Sequence, residues 1–152
     1  MCFMSAVRKY ESPSIELTKQ ASLSSNEILP GLVIGSIGQC RRAQENGYVT
    51  ICVRNIGCPL VDCVHSPVLD LSTWIASQAE MENFCDALGA SWGAGKKTFV
   101  HCFHGIERAP LAVAYAIKRN VTPQIPFEDV YAFVRRMRPV ALDRINWLEH
   151  IP

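Results

Sequence analysis

Apolar and polar positions along the chain change their pattern in a regular way, from short strand-like runs to helical stretches and back. Four runs are rich in apolar or β-branched residues and are bounded by turn residues, which is typical of buried strands: 27–36, 48–53, 65–69 and 98–101. Pro30 and Gly31 interrupt the first run and predict a turn between two short strands.

Five stretches between and after these runs have helical periodicity or capping signals: 38–46, 74–88, 109–119, 127–137 and 143–150. Gly47 stands where a C-terminal cap would lie, Ser72 or Thr73 can cap the second helix, and Asp143 can cap the last. This alternation predicts a single α/β domain, with a central sheet of about five strands and helices on both faces. Residues 1–25 are Ser-rich and lack periodicity, which predicts a loose N-terminal arm and leaves 26–152 as the folded domain.

The composition narrows the class of protein. The chain has 152 residues, of which 49% are hydrophobic, so it is expected to form one globular domain. A net charge of +1 makes nucleic acid an unexpected partner. The sequence shows neither the roughly 20-residue apolar run of a membrane span nor a prenylation motif, so no membrane anchor is expected. The seven cysteines are odd in number, which favours reduced thiols in a cytoplasmic protein, with the nucleus as a second location.

One segment, between a predicted strand and a predicted helix, concentrates the candidate chemistry: Cys102, five intervening residues and Arg108. The N–H groups of a tight loop that opens a helix bind anions and stabilise a thiolate. Arg108 can hold phosphate oxygens with two donors, and Gly105 lets the backbone pass close to the anion. These parts suit in-line attack of the sulfur on phosphorus. A second Cys-x5-Arg match, Cys2 to Arg8, lacks the flanking strand and helix and is interpreted as chance.

The wider pattern resembles a known family. His-Cys-x-x-Gly-x-x-Arg, beginning at His101, matches the signature of the protein tyrosine phosphatase superfamily. The segment 28–36 resembles the opening strand pair of dual-specificity phosphatases. Asp70 precedes Cys102 by 32 residues, which is the spacing between the general acid and the nucleophile in those small enzymes. The resemblance covers residues 26–150 and indicates a small, atypical dual-specificity phosphatase.

Within that superfamily, Arg108-Ala109-Pro110 is similar to the active-site loop of the phosphatases of regenerating liver. Two features depart from those proteins. The prenylation box is missing, and Asp70 is followed by Leu-Ser-Thr-Trp where they carry a Trp-Pro-Phe-Asp-Asp run. Because Ala109 replaces a hydroxyl that could bond the sulfur, slow hydrolysis of the intermediate is expected.

The resemblance implies hydrolysis of phosphate monoesters, namely phosphotyrosine and phosphoserine or phosphothreonine in a phosphoprotein, through a phosphocysteine intermediate. Cys102 would attack, Asp70 would protonate the leaving oxygen and Arg108 would hold the phosphate, with no cofactor. The substrate would be bound by six residues of the loop: Phe103, His104, Gly105, Ile106, Glu107 and Arg108. Two alternatives stay open. Ala109 and Glu107 suggest a low-activity pseudophosphatase that binds phosphate or a partner, and the His-Gly pair in the loop suggests an RNA 5′-phosphatase.

Separate predictions apply to three residues in or beside this loop. His101 is expected to pack and to orient Cys102, and His104 to face the mouth of the cleft. Glu107 would repel a phosphate, so it is expected to point outward or else to meet a cation. Ligands as crowded as His101, Cys102 and His104 give poor zinc geometry, so no metal site is predicted.

Cysteines and arginines elsewhere are interpreted more simply. Cys58 and Cys63 are apolar fillers or a resolving thiol for oxidised Cys102. Three other cysteines are interpreted as core packing: Cys40, Cys52 and Cys85. The basic cluster at the end of the helix 127–137 is interpreted as a solvated helix end: Arg135, Arg136 and Arg138.

Overall fold

The computed structural model describes residues 10–152, within which five strands form one sheet. The strands are β1 Asn26–Leu29, β2 Leu32–Gly35, β3 Val49–Cys52, β4 Val64–His65 and β5 Thr98–His101. Their order in the sheet is β1-β2-β5-β3-β4. β1 is antiparallel to β2, while the other neighbours are parallel. The last strand in the sequence therefore lies at the centre of the sheet.

Helices cover both faces of this sheet. They are α1 Ile15–Ser22, α2 Cys40–Glu45, α3 Gln78–Ser91, α4 Arg108–Asn120 and α5 Phe127–Met137. Single 3₁₀ turns occur at Ile37–Gln39, Trp92–Ala94 and Ile145–Trp147. Among residues 10–152, no helix has the length and apolar character needed to cross a membrane.

The side chains of β5 show why helices lie on both faces. Successive side chains of a strand point to opposite sides, so Val100 enters the main core with the buried faces of α3, α4 and α5. Phe99 points the other way and packs with Val33, Cys40 and Ala43 in a smaller cluster beside α2. All four residues of β5 are buried, as expected for a central parallel strand. The predicted single α/β domain is confirmed.

The strand register places three loops at one edge of the sheet. Gly35 at the end of β2 and Cys52 at the end of β3 both pair with His101 at the end of β5. The three chains therefore leave the sheet side by side, and the segment that begins at Cys102 lies between the other two. Ligands of open α/β sheets bind at this carboxyl edge.

Four elements differ from the sequence-based expectations. Residues 10–25 are not a loose arm, because they contain α1, whose Ala21 is fully buried. Residues 1–9, with the Cys2–Arg8 match, lie outside the described residues. β4 is a two-residue strand, much shorter than the predicted 65–69. The predicted last helix is the 3₁₀ turn, whose first N–H donates to an Asp143 carboxylate oxygen at 3.0 Å.

The third helix begins later than predicted. α3 starts at Gln78 with Ser77 as its cap, because the preceding backbone is used in other hydrogen bonds. The N–H of Ala76 donates to the carbonyl of Trp147 at 2.7 Å, far away in the sequence. Trp74 adopts a positive φ of 55° in a tight turn. Helical periodicity cannot reveal such long-range pairing, so the prediction of a helix over 74–88 was wrong at its start.

Candidate active site

The segment from Cys102 to Arg108 forms a tight loop between β5 and α4, which we call the anion loop. Its residues line a cleft of about 330 Å³. Cys102 contributes to the cleft lining although only 3% of its surface is exposed. Its sulfur is therefore accessible from the cleft alone.

Five successive carbonyl groups of the anion loop are turned away from the cleft by donors behind it. His101 Nδ1 donates to the carbonyl of Cys102 at 2.8 Å, and the N–H of Ile37 donates to that of Phe103 at 2.8 Å. The guanidinium of Arg138 donates to the next two carbonyls, and the N–H of Leu142 donates to that of Ile106 at 3.0 Å.

The backbone N–H groups of the same loop are left for a ligand. From Phe103 to Arg108, none donates a hydrogen bond to an acceptor within residues 10–152. Since the carbonyls on one side of the loop are all occupied, these N–H groups face the opposite side, as in an anion-binding nest. The N-terminus of α4 adds partial positive charge at the same place. The loop therefore has the geometry of a site for a tetrahedral oxyanion.

Gly105 is required by this geometry. It has a positive φ of 70°, a conformation that glycine adopts without strain. A Cβ at this position would lie 2.9 Å from the carbonyl carbon of Gly35 and closer still to its oxygen. The loop thus passes directly against the end of β2, which leaves no space for a side chain.

Arg138 is the residue that sequence reasoning placed wrongly. It is fully buried, not part of a solvated helix end, and its Nε and Nη2 donate to the carbonyls of Gly105 and His104 at 2.6 and 3.0 Å. Its Nη1 also donates to Asn26 Oδ1 at 2.8 Å, which ties the loop to β1. Burial lowers the pKa of Arg138 to about 10, and the nearby Cys102 sulfur opposes this shift. The guanidinium remains charged at neutral pH and fixes the loop from behind.

Two basic side chains lie on the cleft side of the loop. Arg108 lines the cleft, and its guanidinium makes no hydrogen bond or ion pair with any residue from 10 to 152. Its donors are therefore available for an anion. His104 lines the cleft as expected, and burial lowers its pKa, with the Glu107 carboxylate opposing the shift and Arg108 adding to it. The lowered pKa favours the neutral imidazole, which can offer a hydrogen bond without a charge.

Glu107 meets a cation and does not point outward, so the first expectation for it was wrong. Its carboxylate forms a 2.8 Å ion pair with Arg144, and each of the two side chains is only 14% exposed. The Tyr10 hydroxyl donates to the other carboxylate oxygen at 3.2 Å. Burial and the charge of Glu107 raise the pKa of Tyr10. The negative charge of Glu107 in the cleft wall is thus largely compensated.

Asp70 lies beside the cleft but not in its lining. The residues that follow it, Leu71 and Trp74, contribute to the lining, whereas the Asp70 side chain is exposed. Its Oδ1 accepts from the hydroxyl and the N–H of Ser72 at 2.7 and 2.8 Å. These hydrogen bonds lower the pKa of Asp70. The structure therefore shows a carboxylate turned toward its own loop, and the general-acid role stays a prediction.

Cys58 and Cys63 lie near different groups from those that the sequence suggested. Cys63 Sγ is 3.8 Å from Cys40 Sγ and 3.5 Å from His101 Nε2, while Cys58 Sγ is 3.8 Å from Cys40 Sγ. Within residues 10–152, neither sulfur makes a hydrogen-bond contact with Cys102. A resolving role for either thiol stays a prediction.

Comparisons with known proteins bear on the fold. No family model matches the sequence, and neither does any curated protein. The structure is similar to that of human tyrosine phosphatase-like serine/threonine/tyrosine-interacting protein, with a TM-score of 0.64 at 21% identity over 81% of this chain and 89% of that one. It is similar to human DUSP28 with a TM-score of 0.62 at 20% identity, covering 81% and 86%. PTPMT1 in complex with PI(5)P matches with a TM-score of 0.63 at 17% identity, covering 82% and 90%.

The chain therefore has the fold of the protein tyrosine phosphatase superfamily, in the small form found in dual-specificity phosphatases. The predicted resemblance is confirmed at the level of the fold. The structure also brings Cys102, the loop N–H groups and Arg108 together around one cleft.

Proposed function

We propose that this protein is a cysteine-dependent phosphatase that hydrolyses phosphate monoesters through a phosphocysteine intermediate. The observation that carries the proposal is the anion loop, in which the carbonyls from Cys102 to Ile106 all accept hydrogen bonds while the N–H groups from Phe103 to Arg108 have no acceptor within residues 10–152. Three equatorial phosphate oxygens would accept from these N–H groups and from Arg108. The same donors stabilise the thiolate that attacks.

Two displacements complete the reaction. The Cys102 thiolate forms a sulfur–phosphorus bond as the ester oxygen leaves with the bonding pair and takes a proton. Water then attacks phosphorus, the sulfur–phosphorus bond breaks, and inorganic phosphate and the thiolate are released. With Glu107 paired to Arg144, the cleft lining holds two arginines, Arg54 and Arg108, and Arg108, which belongs to the anion loop, would face the transferred group. The step requires no metal ion at Cys102.

The cleft favours a phosphorylated side chain that can lie against aromatic rings. Tyr10 stacks on Trp74 with ring centroids 4.3 Å apart, and both line the cleft together with Trp147. Phe103 is 44% exposed at the rim. Phosphotyrosine would gain most from these rings, and phosphoserine or phosphothreonine would still reach the sulfur. All six cysteines within residues 10–152 are free, which supports action on phosphoproteins of the cytoplasm or nucleus.

Asp70 is the proposed general acid, and its conformation supports a second candidate function. To protonate a leaving oxygen, its carboxylate has to leave Ser72 and turn into the cleft. If it stays where it is, the protein binds phosphorylated groups and turns them over slowly. A phosphate-binding module is thus favoured by the position of one side chain, while the loop favours the enzyme.

Replacing Cys102 by serine separates these functions. Cys102→Ser should abolish hydrolysis of aryl phosphates and of phosphotyrosine peptides, yet keep binding of tungstate, a tetrahedral phosphate analogue, because the N–H groups remain. Cys85→Ala, a buried cysteine on α3, is the matched control and should keep turnover. Trapping of radioactive phosphate on the wild-type chain after acid quenching should label Cys102. Hydrolysis that survives in Cys102→Ser would refute the mechanism, and tungstate binding without any wild-type turnover would establish the binding module.

A further inference from the structure

Four side chains that commonly bind metals converge away from the cleft, on the sheet face that carries Phe99. Cys40 is the first residue of α2, Cys58 and Cys63 belong to the loop between β3 and β4, and His101 ends β5. Their sulfur and nitrogen atoms all lie within 4.8 Å of one another. Cys40 and His101 are fully buried, and the other two are half-buried. We call these four residues the thiol cluster.

Three of the six distances within the thiol cluster match those of a tetrahedral metal site, and the other three are within 4.8 Å. Zinc binds thiolate sulfur at about 2.3 Å and imidazole nitrogen at about 2.0 Å, so tetrahedral ligands lie about 3.8 Å apart for two sulfurs and about 3.5 Å apart for sulfur and nitrogen. Two sulfur pairs are separated by 3.8 Å, Cys40 with Cys63 and Cys40 with Cys58. Cys63 Sγ lies 3.5 Å from His101 Nε2. Small movements of the side chains would therefore bring all four atoms to ligand distance from one ion.

The hydrogen bonding of His101 prepares its ring for a metal. Its Nδ1 is 2.8 Å from the carbonyl oxygen of Cys102, and because a carbonyl only accepts, Nδ1 carries the proton. In a neutral imidazole, Nε2 then has a free lone pair, and Nε2 is the atom that faces the sulfurs. Metal-binding histidines usually donate their other N–H to a carboxylate or a backbone carbonyl in this way.

We propose a closed structural zinc site with four protein ligands: Cys40, Cys58, Cys63 and His101. Four residues separate Cys58 from Cys63, a spacing found in zinc sites in which two cysteines come from one turn. A turn of this kind is present, because the N–H of Cys63 donates to the carbonyl of Leu60 at 3.1 Å. On binding, the three thiols release their protons to solvent, and Zn²⁺ with three thiolates and a neutral histidine carries a net charge of −1.

The position of the site indicates a structural role for the metal. Gly57 is the only buried residue between Arg54 and His65, and the loop contacts the smaller core cluster only through partly buried side chains: Cys58, Leu60 and Cys63. The same loop supplies three residues to the cleft wall: Arg54, Asn55 and Ile56. A zinc ion would attach the loop to α2 and to the strand that carries the anion loop.

Ordinary packing does not account for the arrangement. Half-buried cysteines do contact the small core cluster of Val33 and Phe99, and free cysteine is a common apolar filler. Packing explains why the thiols are shielded, but not why three sulfurs and an imidazole nitrogen converge within 4.8 Å of one another, with Cys63 Sγ 3.5 Å from His101 Nε2. A disulfide between Cys40 and Cys63 would use two of the sulfurs and is the competing outcome of the experiment below.

The test measures metal in the intact chain. Protein purified without chelator and under reducing conditions should contain about one zinc per chain by plasma mass spectrometry. X-ray absorption should show three sulfur neighbours at about 2.3 Å and one nitrogen at about 2.0 Å. Exchange for Co²⁺ should produce the intense visible bands of tetrahedral cobalt and a thiolate charge-transfer band.

Variants locate the ion. Cys58→Ser and Cys63→Ser should lose the zinc and the cobalt bands, while Cys85→Ala and Cys102→Ser should keep both, which excludes metal bound at the catalytic thiol. If a ligand variant fails to fold, the cobalt spectrum and the absorption measurement on the wild-type chain still decide. Wild-type protein that contains no stoichiometric metal, or that shows a Cys40–Cys63 disulfide by mass spectrometry under the same reducing conditions, would overturn the proposal.

Discussion

Replacing Arg138 by lysine tests whether the anion loop is fixed from behind. Arginine makes five hydrogen bonds here, with two loop carbonyls, two carbonyls of the α1 region and Asn26. Lysine keeps the positive charge, but its single nitrogen cannot reach both loop carbonyls and Asn26 from one position. The substitution therefore removes the fork and leaves the charge in place.

The expected loss follows from those contacts. Hydrogen bonds from a charged donor contribute about 1.5–3 kcal/mol each. Losing two of them should lower the free energy of unfolding by about 3–6 kcal/mol, against about 5–15 kcal/mol for a domain of this kind. The carbonyls of His104 and Gly105 would then be free to rotate toward the cleft. Misaligning one N–H donor by this rotation should weaken tungstate binding about tenfold or more, since 1.4 kcal/mol corresponds to a factor of ten.

Urea unfolding, followed by tryptophan fluorescence, measures the loss of stability. Titration calorimetry with tungstate in the absence of urea measures the loss of affinity. Arg136→Lys is the matched control, because Arg136 lies in the last turn of α5, two residues before Arg138, and is exposed. A purely structural role predicts lower stability with unchanged tungstate affinity in the folded fraction. That result, or a stability change no larger than in the control, would refute the positioning role of Arg138.

Three further substitutions address the cleft. Ser72→Ala removes the main hydrogen bond that lowers the pKa of Asp70, so this pKa should rise. Because a general acid must be protonated, the alkaline limb of the kcat/KM profile for alkyl phosphates should then move to higher pH. The shift should vanish in an Asp70→Asn background. Arg144→Gln leaves the Glu107 carboxylate uncompensated and should weaken tungstate binding about tenfold, and adding Glu107→Gln should restore it, as titration calorimetry would show. Gly105→Ala forces a methyl group against the end of β2 at a positive φ. It should lower the free energy of unfolding, measured in urea, by about 1–3 kcal/mol and abolish tungstate binding. Unchanged tungstate binding would contradict the loop geometry.

Local patterns were sufficient to predict most of the fold. The runs over β1, β2, β3 and β5 are short, apolar and bounded by turn residues, and helices α4 and α5 carry their periodicity and capping signals within a few positions. These elements are determined largely by residues that are near one another in the sequence. β4 and the start of α3 depend instead on pairing with distant segments, such as Ala76 with Trp147, and were predicted less well.

The candidate site was predicted in part for the same reason. Cys102, Gly105 and Arg108 lie within seven consecutive positions between a predicted strand and a predicted helix, so spacing and local context together suggested the loop. Arg138 was missed because it stands beside other arginines. A signal was nevertheless present, since the buried positions of α5 recur at helical spacing and position 138 continues that stripe: Phe127, Val130, Tyr131 and Val134. An arginine in line with a buried stripe has to find acceptors in the interior.

The thiol cluster had no such signal, because its members come from four separate positions that only the parallel register brings together. Cys52 pairs with His101 in the sheet, so the loop after β3 must pass the end of β5, and this passage brings Cys58 and Cys63 to the imidazole. The imidazole then faces two sites at once. Nδ1 holds the first carbonyl of the anion loop and Nε2 faces the sulfurs. Because one rigid ring serves both contacts, any ligand that fixes Nε2 also fixes the carbonyl of Cys102, and with it the point where the anion loop leaves the sheet.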